Sequence, residues 1–93
     1  MAHGQLHPRG DNEPDVELHL EVRAIAKVRV KGRGVKGGLR VLRIVVQEIA
    51  EGGKGRIAEL DEPYVDYRDE LKVGKMNVFY VPLSMAREAG MVA

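Results

Sequence analysis

Residues 16–31 read Val-Glu-Leu-His-Leu-Glu-Val-Arg-Ala-Ile-Ala-Lys-Val-Arg-Val-Lys. Every even position is apolar: Val16, Leu18, Leu20, Val22, Ala24, Ala26, Val28 and Val30. The odd positions are charged or His19, apart from Ile25. Period two marks a strand with one face against a core. At about 3.3 Å per residue it would span roughly 50 Å, too far for a flat strand in a small domain. The pattern predicts a bend at the small residues Ala24 and Ala26. It also predicts a first strand shared by the two halves of a small barrel. Its outward face should run from acidic (Glu17, Glu21) to basic (Arg23, Lys27, Arg29, Lys31).

That gradient belongs to a wider segregation. Residues 22–47 hold eight basic side chains and no acidic one. They are Arg23, Lys27, Arg29, Lys31, Arg33, Lys36, Arg40 and Arg43. The chain has 15 basic and 14 acidic residues, so seven basic face 14 acidic residues elsewhere and the near-neutral total conceals two opposed fields. A one-signed surface selects its partners. Two readings compete: a solvated face paired with carboxylates of the same protein, or a phosphate-contacting face. Lys27, Arg29, Lys31, Arg33, Lys36, Arg40 and Arg43 are the candidate nucleic-acid contacts. Glycines around Arg33 and Lys36 would let the backbone approach a phosphate closely.

Ninety-three residues make one small domain, with 1–14 read as a flexible tail and 15–93 as the folded unit. Lys31 to Gly38 reads as a flexible basic loop. Residues 39–51 fit either a helical stripe (Leu39, Leu42, Val46, Ile49) or an alternating strand. Five β-branched residues, and a charge order opposed to a helix macrodipole, favour the strand. The alternative is an α+β fold with 39–51 helical. Glu51 to Gly55 reads as a hairpin loop into a strand at 56–60, and 63–71 as polar with one helical turn. Lys72-Val73-Gly74-Lys75 turns into a strand at 76–83. Ser84 is placed to cap a short helix, 85–89, that stops at Gly90.

The inventory argues against catalysis. Cys is absent, Ser84 is the only serine, and His19 is the only histidine outside the tail. Little material exists for a Ser–His constellation and none for a thiolate site, so the reading is not an enzyme and needs no cofactor. His3, His7 and Asp11 lack a rigid shell to make them a metal site. Gly32-x-Gly34-x-x-Gly37 matches a dinucleotide fingerprint in spacing, but an alternating strand precedes it and the chain is too short for the usual α/β sheet. Gly34-Val35-Lys36-Gly37 has the Gly-x-x-Gly form of KH loops without the apolar spacing that follows in that family. No apolar run approaches the ~18 residues of a spanning helix, so no membrane partner and a cytoplasmic location are expected. Few carboxamides, no Cys and many charges fit a thermophile's usage.

The order of elements resembles the OB-fold of single-strand nucleic-acid-binding domains. The likeness rests on the long bent strand, the strand–turn–strand unit of 40–60, a short helix at 63–71, and the Leu71-Lys72-Val73-Gly74-Lys75 turn before 76–83. The resemblance implies a small or partly open barrel with a ligand face on strands two and three, flanked by the first loop. Arg33, Lys36, Arg40 and Arg43 fall there. It implies RNA or single-stranded DNA as partner. Two departures stand out: those strands carry no aromatic residue for base stacking, and no clear fifth strand is visible. An open barrel could be completed by a second copy. The alternative function is therefore an assembly module, as a homo-oligomer or a subunit of a larger complex, with the acidic stretch Asp11 to Glu21 as a possible contact.

Overall fold

The computed structural model describes residues 13–32 and 35–93. Its elements are β1 (Asp15–Gly32), β2 (Val35–Ala50), β3 (Gly53–Asp61), a 3-10 turn (Glu62–Tyr64), β4 (Asp66–Tyr67), β5 (Met76–Pro82) and α1 (Leu83–Glu88). The strands form one antiparallel sheet in the order β3-β2-β1-β5-β4, which does not close. The protein is thus mainly β, an open barrel-like sheet with one short C-terminal helix.

Residues 39–50 are strand, as β-branched crowding favours, Glu51 begins the turn, and the helical alternative is overturned. The fifth strand that seemed missing lies inside 63–71. The expected helical turn there is Glu62–Tyr64, and Asp66–Tyr67 then pairs with Tyr80 and Phe79. The expected loop of 31–38 is also corrected. β1 runs to Gly32 and β2 begins at Val35, so most of that segment is ladder. The tail expected over 1–14 lies outside the described residues up to position 12. Pro14 already accepts a hydrogen bond from the Leu83 amide.

β1 is shared by both halves. Asp15 to Glu21 pair with β5, and Leu20 to Gly32 pair with β2. The core gathers Leu20, Val22, Ile44, Val46, Leu60, Val65, Phe79 and Val81, each almost fully buried, joined by Ala86 of α1 and Met91 after it. Phe79 meets Tyr67 in a tilted ring contact with centroids 6.3 Å apart. Buried Asn77 satisfies a loop: its carbonyl accepts from the Asp69 and Val78 amides, and its amide donates to the Asp69 carbonyl.

The predicted alternation fails at one residue. Val22 pairs with Val46, but Ala24 pairs with Val45, so β1 holds one extra residue, Arg23, there. Such a β-bulge transfers all later side chains to the other face. Before it, the core takes Leu18, Leu20 and Val22. Beyond it, Ile25 packs against the core opposite Ile44, while Ala24 and Ala26 are exposed. The irregularity falls just before the predicted bend. The 72–75 turn docks at the same place: Gly74, at φ +87°, donates to the Val22 carbonyl, and the Val22 amide donates to Lys75. β5 pairs no further than Glu21, which leaves the rest of β1 to β2 alone.

Ser84 does not cap the helix with its side chain. Pro82 holds the cap position, and the Glu13 carboxylate accepts from the Ser84 amide instead. Gly90, at φ +75°, ends the helix as expected.

Candidate nucleic-acid interface

β3 pairs with β2 only between Arg43 and Ala50. Beyond the Ala26–Arg43 pair, the Lys27–Gly32 and Val35–Leu42 segments form a two-stranded ribbon with no strand on either edge among the described residues. Six residues of β1 give it about 20 Å of length, within a molecule whose longest axis is 45 Å. The acidic half of β1 is fixed at the opposite end, so Asp15, Glu17 and Glu21 cannot cover the basic half of their own strand. Glu17 lies against His19, whose hydrogen bond lowers the carboxyl pKa, and Glu21 lies against Arg23.

Because of the bulge, the ribbon's two faces differ sharply. Register places Lys27 opposite Leu42 and Arg29 opposite Arg40, on the face that continues from Ile25 and Ile44. Lys31 follows Arg29 on that face by alternation. The reverse face holds Val28 opposite Val41 and Val30 opposite Leu39. The basic groups therefore extend the core-side surface outward, rather than standing on the outer side of the sheet as the uninterrupted alternation implied.

Arg29 and Arg40 are directly cross-strand neighbours and both exposed. Like charges in that position cost a few tenths of a kcal/mol to about 1 kcal/mol. Among the described residues, Lys27, Lys31, Lys36 and Arg40 make no ion pair, and Glu62 is a carboxylate that shares a cleft with Lys27 and Arg40. Arg29 donates only to the Gly37 carbonyl, at 3.2 Å. At the ribbon's root, Lys27, Arg40, Leu42 and Glu62 line an open cleft of about 350 Å³. Glu62 also accepts from the Tyr67 hydroxyl. Burial first, and then that bond, push the Tyr67 pKa up to about 12.

Glycine geometry holds the ribbon's far end. Between the Val30–Leu39 and Gly32–Val35 pairs, β2 carries two more residues than β1. Gly37 and Gly38 absorb them at φ +80° and +81°. A Cβ on Gly38 would overlap the Val30 carbonyl oxygen, so only glycine fits.

Of the seven candidate residues, Lys27, Arg29, Lys31 and Arg40 come together on one face, and Lys36 is exposed on the ribbon beside Gly37. Arg33 lies outside the described residues. Arg43 does not join them. It pairs with Ala26 on the reverse face, and its guanidinium donates twice to Asp61 at 2.7 and 3.1 Å, with Glu59 at 3.7 Å. The Asp61 hydrogen bond raises its pKa. Arg43 is thus already satisfied by the adjacent strand. The aromatic residues lie elsewhere: Tyr67 and Phe79 belong to the core region, and the Tyr80 hydroxyl accepts from Arg68. Among the described residues, no group of three or more His, Asp or Glu could hold a metal, and no helix is long and apolar enough to cross a membrane.

The reverse face is the feature that sequence reasoning missed. Leu39, Val41, Val45 and Ile49 lie along one side of β2, while Ile44 and Val46 fill the core on the other. Val41 is buried yet stands apart from the core cluster, and Leu39, Ile49 and Ile57 are exposed at 43%, 54% and 59%. The near-continuous apolar run Val41 to Val46, broken only by Arg43, was the available signal, since a strand covered on both faces reads that way. In comparisons with known proteins, no family model, curated protein or solved structure matches this chain.

Proposed function

We propose that the protein binds nucleic acid, with the basic ribbon as its phosphate-contacting element. The observation that carries this reading is the Arg29–Arg40 pair: two arginines directly opposite in register, both exposed, and neither in an ion pair among the described residues. A polyanion would relieve that repulsion and release counterions from its own backbone. Lys27 and Lys31 extend the same face, Lys36 adds charge toward the tip, and Gly37 and Gly38 leave the backbone accessible. The OB-like resemblance agrees with this class of partner, but the contact surface in this reading is the ribbon. Neutralising four phosphates gives a slope of log K against log salt of about −2.8 for a single strand or −3.6 for a duplex. Fluorescence anisotropy with labelled oligonucleotides measures it. The double variant K27A/K31A should reduce the slope by about 1.4 to 1.8. Absence of binding to any oligonucleotide at 50 mM salt refutes the reading.

One observation favours a second reading, assembly with another copy or within a larger complex. The face of the sheet opposite the core leaves Leu39, Ile49 and Ile57 exposed. Sedimentation across a concentration series tests it. I57K with I49K should abolish any self-association while leaving the core intact.

A further inference from the structure

Resting on the nucleic-acid reading, we infer that the ribbon seats in the major groove of B-form duplex DNA, and that Arg29 and Arg40 meet the base edges at the groove floor. Three observations select this ligand over a single strand. The first is shape. The described ribbon is two strands wide, bears no aromatic residue, and projects beyond the sheet's other strands. Single-strand binders stack bases on aromatic platforms, and the aromatic residues here sit in or against the body of the sheet. The second is the pair of open edges. Beyond Ala26 and Arg43, β1 and β2 each present an edge without a partner strand. A groove has two phosphate walls, so each edge can offer amides to one wall, whereas a single strand has only one backbone to engage. The third is the sideways pairing of Arg29 with Arg40 midway along the ribbon. Guanidinium groups bind guanine O6 and N7 in the major groove; Lys27 and Lys31, which flank Arg29 along β1, are assigned to the phosphates.

Groove dimensions separate the duplexes. The B-DNA major groove, about 12 Å wide, admits a two-stranded ribbon. The major groove of A-form RNA is too deep and narrow for side chains to read. The chemistry therefore predicts DNA over RNA and G·C-containing over A·T-only sites.

The test uses the full chain at 50 mM salt with 20-mer probes of one mixed sequence: duplex DNA, single-stranded DNA and duplex RNA. Anisotropy should show duplex DNA bound at least tenfold more tightly than either other probe. Dimethyl sulfate footprinting should show protection of guanine N7, in the major groove, and R29A/R40A should lose that protection. K27A/K31A should weaken binding equally for G·C-rich and A·T-only duplexes. Equal or tighter binding of the single strand or of duplex RNA overturns the groove assignment while leaving the nucleic-acid reading standing. Protection confined to the minor-groove face of adenine also overturns it. No binding to any probe overturns both. Circular dichroism of each variant separates loss of contact from loss of fold.

Discussion

Deletion of Arg23 tests the bulge that organises the molecule. Removing a residue from inside a strand normally sends the following side chains to the wrong face. Here it should not. Arg23 is an extra residue of β1 at this point of the ladder, since Val22 pairs with Val46 and Ala24 with Val45. Without it, Ala24 follows Val22 directly. Val22 stays in the core, Ala24 stays outside, and Ile25 stays opposite Ile44. The side chain lost is exposed, and its contact with Glu21 at 3.3 Å is a surface pair worth about 0–1 kcal/mol. One fewer ordered residue returns about 1–2 kcal/mol of backbone entropy, set against the strain of straightening the strand. The net change should lie within about 1 kcal/mol of zero, on a total of roughly 5–14 kcal/mol for a domain of this size. Deletion of His19, also exposed and four positions earlier, is the matched control. It forces either Leu18 and Val16 or Leu20 and Val22 out of the core. At about 1.5–3 kcal/mol per buried side chain, it should cost at least 3 kcal/mol. Urea unfolding followed by far-UV circular dichroism measures both. If the Arg23 deletion loses 3 kcal/mol or fails to fold, while the His19 deletion is tolerated, the register and the two-faced ribbon are wrong.

Three further outcomes follow from named contacts. G38A should destabilise the ribbon by more than about 2 kcal/mol, combining left-handed strain with a backbone clash, whereas G37A, which meets nothing closer than 3.9 Å, should cost about 1–2 kcal/mol. Amide hydrogen exchange at Val30 and Leu39 reads the difference. N77A strands two amides and a carbonyl around Asp69 and Val78, and should lower stability by about 1–3 kcal/mol in urea unfolding. Tyr67 should ionise near pH 12 on titration at 295 nm. Its folded pKa exceeds the unfolded value of about 10, so the folded state binds more protons between the two. Stability should therefore be complete below pH 10 and fall toward pH 12. Y67F should flatten that decline.

Much of this was legible in the chain. Alternation from Val16 to Val22 located the core face because it follows from backbone pleat alone. β-branched residues in 39–51 settled strand over helix through rotamer crowding, a local effect. Gly52 and Gly90 ended their elements because the φ values there, +84° and +75°, suit glycine. The short β4 escaped notice because two residues carry no periodicity, and pairing with Tyr80 and Phe79 is what makes them a strand. The segregation of eight basic residues was equally a property of the sequence.

Which of those eight act together was not. The sequence by itself determined that a long strand leads from an acidic to a basic end, and that the next segment extends the charge. It could not reveal that Arg23 is an extra residue, because a bulge is defined only by the strand opposite. That single mismatch moved Lys27, Arg29 and Lys31 to the core-side face and exposed Ala24 and Ala26. It also could not reveal that Asp61, eighteen residues away, would neutralise Arg43 across the β2–β3 ladder while Arg40, three positions earlier, faced Arg29. Charge is counted along a chain, but its surroundings are set by register. Register comes from packing the whole sheet, so only the tertiary structure divided the basic block into a paired arginine and an open face.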